Sequence, residues 1–289
     1  MTTDVAVIVL TYQEEANIAQ ALKSVCGWAR QVLVLDSFST DTTVEIARNF
    51  GCQVFQKPFE GYATQRNWAL DNLPVETEWV LFLDADEWLP EVLKREISAV
   101  IDSRPPENGF YIKRRFIWMG RWIKRGYYPS WVLRLFRRTR GRCELREINE
   151  HIVADPPLGK LKQDFMHEDR KGLSSWLEKH LEYARREAKE LLRDSLIKGY
   201  VQPRLFGNSS ERRRWLRQQV YNRVPVLVRP WVYFGYFYFF RGGFLDGREA
   251  MIYHLLHALW YPLLIDVNFL ALKWEKAAER EAVRSRTAV

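Results

Sequence analysis

Four short runs in the first 85 residues are apolar almost throughout: residues 5–10 (VAVIVL), 31–35 (QVLVL), 52–55 (CQVF) and 79–83 (WVLFL). Continuous apolar runs of this length predict strands buried on both faces, as in a parallel sheet. Between the first two, Ile18, Ala21, Leu22, Val25 and Cys26 fall at helical spacing. After the second, Thr42 and Glu45 stand as a capping-box pair ahead of Val44, Ala47 and Phe50, which predicts another helix start. A third helix is expected over about 61–72. Pro90 suits the first turn of a fourth, reaching Val100. Strands alternating with helices give right-handed β-α-β units, and ligands of such sheets bind beyond the carboxyl ends of the strands. Thr11, Tyr12 and Glu14 follow the first strand, Asp36 and Ser37 the second, Asp84 and Asp86 the fourth.

The texture changes near residue 105. Residues 109–118 and 131–136 predict mixed or edge strands around an aromatic, basic loop. Over 173–192, Leu173, Leu177, Leu181, Ala184, Ala188, Leu191 and Leu192 make an amphipathic helix, with Ser175 and Glu178 as its expected cap. Pro203, Gly207, Asn208 and Ser209 read as a break. The expected organisation is one α/β domain over 1–200, with halves at 1–105 and 106–200, and a helical aromatic-basic tail over 201–289.

The tail changes the reading of the composition. The 289 residues carry a formal charge of +8 and 12 Trp. Neither apolar run of the tail reads as a clean transmembrane span: Arg229 and Pro230 cut the first, and His254, His257 and Asp266 cut the second. Aromatics beside arginine suit the membrane interface, so peripheral attachment to the inner membrane surface, on its cytoplasmic face, is expected. The three cysteines are scattered, without a C-x-x-C, which argues against a disulfide framework or zinc site and for a reducing compartment. The start, MTTDVAVIVLTY, lacks a basic leader region and reads as a core strand.

Asp84 abuts five apolar residues, a costly place for a carboxylate unless it is paired or metal-bound. With Asp86 at i, i+2, the two side chains project to one side of extended backbone. Such a pair suits one Mg²⁺ or Mn²⁺ that also takes substrate phosphate oxygens. A lone D-x-D is weak; D-A-D-E directly after a buried strand, some 75 residues past T-Y-Q-E-E, is a stronger signal.

The combination of V-I-V-L-T-Y-Q-E-E-A-N-I, V-L-D-S-F-S-T-D-T-T, G-Y-A-T-Q-R-N-W-A-L and W-V-L-F-L-D-A-D-E resembles the inverting family 2 glycosyltransferases of GT-A fold. Within them it is similar to lipopolysaccharide-core β-glucosyltransferases and related surface-polysaccharide enzymes. The resemblance is dense over 5–100 and looser through R-E-I-N-E-H and H-E-D. It implies a GT-A catalytic domain, with the nucleotide-sugar half first and the acceptor half second. It also implies a UDP-sugar donor, a divalent cation, and a glycan or lipid-linked acceptor. Thr11, Tyr12 and Glu14 would line the nucleotide pocket, and Asp36 would accept from the base. Arg66, and with it Lys57, would approach the diphosphate or fix the loop around it. Asp84 would contact ribose or the metal through water, Asp86 would bind the metal, and His167 would be a further ligand or touch the diphosphate. Glu150 would be the general base, with Glu147 and Asp164 in reserve. Asp36-Ser37-Phe38-Ser39 has one acid where the family has two, which loosens base specificity. Trp118, Trp122, Tyr127, Tyr128 and Trp131 are candidates for an acceptor platform, and Arg121, Lys124 and Arg125 for attracting a phosphorylated acceptor.

Rival classes fare worse. A nucleic-acid binder would not set paired acids where phosphate must approach. A dinucleotide oxidoreductase would need G-x-G-x-x-G where Tyr12-Gln13-Glu14-Glu15 stands. The alternatives left are a polyprenyl-phosphate sugar synthase and a catalytically silent, membrane-attached nucleotide-sugar binding module.

Overall fold

The computed structural model describes residues 2–145, 151–193, 206, 215–216, 219 and 221–287. They fall into two compact units, Met1–Gly172 and Leu173–Val289.

The first unit opens as the apolar runs predict. Strand β1 is Thr3–Thr11, followed by helix α1 (Ile18–Val25), β2 (Ala29–Asp36), α2 (Thr43–Asn49), β3 (Gln53–Gln56), α3 (Tyr62–Asn72) and β4 (Trp79–Asp84). A two-residue strand β5 (Glu87–Trp88) and helix α4 (Glu91–Asp102) come next. The second half supplies β6 (Gly109–Trp118), β7 (Arg121–Trp122), β8 (Ser130–Arg137), β9 (Gly141–Cys143), β10 (Ile152–Ala154) and β11 (Leu158–His167). Strands run β3-β2-β1-β4-β8-β6-β11-β5 across one sheet, with β7 on β6, and β9 pairs with β10 apart from it. The first four strands are parallel; β8 is antiparallel to β4 and β6, and β11 runs parallel to β6. Chain order reverses around β1, flanked by β2 and β4, which opens a crevice at the carboxyl ends.

Alternate residues of β1 and β4 enter two cores. Val5, Val7, Val9, Leu81 and Leu83 pack with α1 and α4, whereas Ala6, Ile8, Val80 and Phe82 pack with Ala69 and Leu70 of α3. Burial on both faces is why these runs lack polar alternation. The β6–β8 ladder slips once: Phe110 pairs with Leu135 and Tyr111 with Leu133, so Arg134 is an extra residue in a β-bulge.

Two capping expectations fail. Thr42 makes no cap bond to its own helix; its hydroxyl donates to Glu15 Oε2 at 2.9 Å, across to the neighbouring loop. Helix α5 spans Gly172–Arg193, so Ser175 lies inside it and cannot cap it.

In the second unit, α6 (Arg229–Gly235) is followed by a π-helical turn to Phe240. The helix α7 (Arg248–His254) runs through another π turn, Leu255–Trp260, into α8 (Tyr261–Thr287). The wide turn precedes Pro262, which cannot donate to the helix ladder. The stretch Arg248–Glu279 is one 32-residue helix, long and apolar enough to cross a membrane by length and composition. This corrects the reading that its polar residues break the run. His254 and Asp266 are fully buried, and Asp266 accepts from Arg229 Nε at 2.7 Å and Leu227 N at 2.8 Å. Their polarity is turned inward, while Trp231, Phe239, Phe240 and Trp274 stand exposed.

Candidate functional site

Three carboxyl ends lie side by side, since Thr11 pairs with Asp36 and Leu10 with Asp84. Asp36 is fully buried. Its oxygens accept from Thr11 Oγ1 (2.9 Å), Ser39 N (2.9 Å), Ser39 Oγ (2.5 Å) and Gln56 Nε2 (3.2 Å). Asp36 therefore acts first on its own surroundings, holding the loop after β2. The loop after β1 is braced to it: Gln13 N donates to Ser39 Oγ, Gln13 Nε2 to Thr40 Oγ1, and Glu14 N to Thr43 Oγ1. Gln13 (φ 55°) and Phe38 (φ 60°) hold left-handed backbone, uncommon away from glycine. Tyr12 and Phe38 stand exposed beside these braces, two flat rings at the rim of the crevice.

Asp84 is paired, as its position after β4 requires. Arg66 from α3 donates to Oδ1 at 2.9 Å, and Arg134 from the β8 bulge to Oδ2 at 2.6 Å. Arg134 also donates to Glu87 Oε1 at 2.6 Å, and Glu87 Oε2 accepts from Asp84 N. Burial pushes the Asp84 carboxyl up, but Arg134 and Arg66 outweigh it and hold it below the usual carboxylate range. Burial and the neighbouring charges of Asp84 and Asp86 outweigh Arg134 at Glu87, pushing it up to about 7. Lys57, also expected near the diphosphate, pairs instead with Glu60 at 2.6 Å.

Asp86 lies two residues further along the chain than Asp84, just beyond β4. His167, the last residue of β11, places Nε2 3.3 Å from Asp86 Oδ2, and its Nδ1 lies 3.9 Å from Glu87 Oε1. The cause is the pairing of His167 with Glu87 between β11 and β5. The segment after His167 is tied down. Glu168 N donates to Asp86 O, Arg170 N to Asn17 Oδ1, and Lys171 Nζ to Glu14 Oε1 at 2.6 Å. Burial raises the Glu14 carboxyl despite Lys171. Among the described residues no group of three or more His, Cys, Asp or Glu converges as a closed metal cage. One carboxylate and one imidazole at the mouth of a crevice fit a cation that takes its other ligands from substrate phosphates.

In the second half, Asp164 does not stand free as a base. Lys113 (3.2 Å) and Arg115 (3.0 Å) pair with it, and Tyr128 donates to it. Around it Arg115 lies 4.0 Å over the Trp122 ring, and Lys113 and Lys160 lie over Trp131. Glu147 and Glu150 lie outside the described residues.

The structure thus brings Thr11, Tyr12, Glu14, Asp36, Arg66, Asp84, Asp86 and His167 to the ends of adjoining strands and the segments that follow them. Sequence reasoning missed Arg134, Glu87, Asn17 and Lys171. The signal for Arg134 was present: a lone arginine inside the apolar run W-V-L-R-L-F needs a buried carboxylate.

A largely parallel sheet with this acidic turn at its switch point defines a GT-A-like fold. The chain belongs to glycosyl transferase family 2, whose sequence profile matches residues 6–150, half of its length. An uncharacterized glycosyltransferase of Rickettsia typhi is 34% identical over 137 residues, covering 46% of this chain and 46% of that one. The match therefore spans less than half the length of that relative. The prophage-derived glycosyltransferase SunS of Bacillus subtilis is 30% identical over 95 residues, 32% of this chain and 22% of that protein. The crystal structure of Staphylococcus aureus TarS 1–349 is similar at 18% identity and a TM-score of 0.47, covering 96% and 92% of the two chains.

Proposed function

We propose that the protein transfers a sugar from a nucleoside-diphosphate donor, UDP-linked, to a hydroxyl of a lipid-linked or surface-polysaccharide glycan, with inversion. One observation carries the reading. Arg66 and Arg134 hold Asp84 by both oxygens, and Asp86 stands beside His167 at the same switch point. Asp86 and His167 would hold the divalent cation, Mg²⁺ or Mn²⁺. When bound, it neutralises charge on the departing diphosphate. The braced loops after β1 and β2 set Thr11, Tyr12 and Asp36 around the nucleoside. Arg66, buried against Asp84, fixes the turn on which the diphosphate rests. Glu150 accepts the proton of the attacking hydroxyl. The basic, aromatic face of Trp122, Tyr128 and Trp131 receives the acceptor glycan, and the excess of Lys and Arg there favours one bearing phosphate.

The test is calorimetry of UDP with the purified protein, with and without Mn²⁺. Binding that tightens at least tenfold with Mn²⁺ is expected. Absence of binding in both conditions removes the UDP-sugar reading.

The exposed rings of the second unit support attachment to the membrane, and the cytoplasmic face is the side this reading assigns. The triple variant Trp231→Ser, Phe239→Ser, Phe240→Ser is expected to bind phosphatidylglycerol-containing liposomes roughly tenfold or more weakly, because three large apolar surfaces no longer leave water. Unchanged sedimentation with liposomes removes this part of the proposal.

A further inference from the structure

Cys26 and Cys52 are 26 residues apart in the chain and belong to neighbouring corners of the fold. Cys26 is the C-cap of α1, in extended backbone, and Cys52 leads into β3. Their Sγ atoms lie 3.7 Å apart, in van der Waals contact and sharing a hydrogen bond. Both are free thiols. Closing such a pair to a disulfide needs an approach to about 2.05 Å.

The two thiols are not equivalent. Cys52 is buried within the core under α1, whereas Cys26 is only partly buried at its edge. The shared hydrogen bond lowers the Cys26 thiol below its ordinary value and raises Cys52, which burial pushes further up. The less buried partner is thus the better thiolate and the covered partner sits against its sulfur. A nucleophilic thiol and a resolving thiol have this relation. Cys143 lies elsewhere, buried on β9.

We infer that Cys26 and Cys52 form a modification site, a dithiol that low-molecular-weight disulfides of the glutathione class convert to an internal disulfide. The Cys26 thiolate attacks one sulfur of the reagent, forms a mixed disulfide and expels one thiolate. Cys52 then gives up its proton, attacks the Cys26 sulfur and expels the second. One disulfide is formed and one is reduced to two thiols, with no other oxidant. The bond would tie the α1–β2 corner to the α2–β3 corner, away from the strand ends that carry the site.

The test uses the full-length protein and oxidised glutathione at pH 8, read by intact mass, thiol titration and peptide mapping. The expected product is lighter by two hydrogens and carries no glutathione. Its titratable thiols fall from three to one, and its peptides are linked through Cys26 and Cys52. Cys52→Ser is expected to stop at a stable adduct heavier by one glutathionyl group on Cys26. Cys26→Ser is expected to leave Cys52 unmodified. A wild-type protein that keeps all three thiols, or that ends as a persistent glutathione adduct, overturns the inference.

Discussion

Asp86→Ala is expected to turn over its donor roughly a thousandfold more slowly than the parent and to lose the Mn²⁺-dependent part of its UDP affinity. The size follows from several kcal/mol of charge stabilisation at the leaving diphosphate. The fold should survive the change. Asp86 lies beyond the apolar part of β4, and the clamp of Arg134 on Asp84 and Glu87 does not pass through it. The variant therefore melts within a few degrees of the parent. Normal turnover with unaltered metal dependence would show that the cation, if used, is held elsewhere.

The second large effect is on stability. Arg134→Met leaves Glu87 buried without its guanidinium and leaves Asp84 with Arg66 alone. Removing one partner of a buried ionic cluster costs about 3–5 kcal/mol. The lower end applies here, because Glu87 is already poised to take up a proton. The melting temperature should fall by roughly 6–12 °C. Arg134→Met combined with Glu87→Gln should recover part of that loss, since the second change removes the stranded charge. Calorimetric or dichroism melts of the two variants decide the matter. A single variant as stable as the parent would mean that Arg134 contributes nothing net to the fold.

The parallel half of the sheet was legible because its strands are buried on both faces and therefore apolar throughout. The helices between them carry an ordinary amphipathic stripe, and acids at the strand ends then marked the crevice. The antiparallel half was less legible. The strands β5, β7, β9 and β10 have two or three residues each, too few for any periodicity to declare itself. Asp84 could be read as needing a partner, but its partner Arg134 lies 50 residues on and reaches it only through a bulge. Nothing in D-A-D-E sets Glu87 apart, yet it is buried against Arg134. His167 meets Asp86 through an antiparallel pair between β11 and a two-residue strand, a contact that no local pattern encodes. Thr42 and Glu45 had the right spacing for a cap, and the hydroxyl went to Glu15 instead. A local rule gave way there to a contact between loops.

Those contacts between loops have a consequence for recognition. Ser39, Thr40, Thr42 and Thr43 engage Gln13, Glu14 and Glu15 directly, so the rim of the crevice is ordered when the chain folds. Under the proposed function, a nucleotide arriving there would meet a preorganised pocket and spend little of its binding free energy on immobilising loops. Selectivity at this rim would then depend on shape: a base of the wrong size would have to strain backbone already held in left-handed conformations at Gln13 and Phe38.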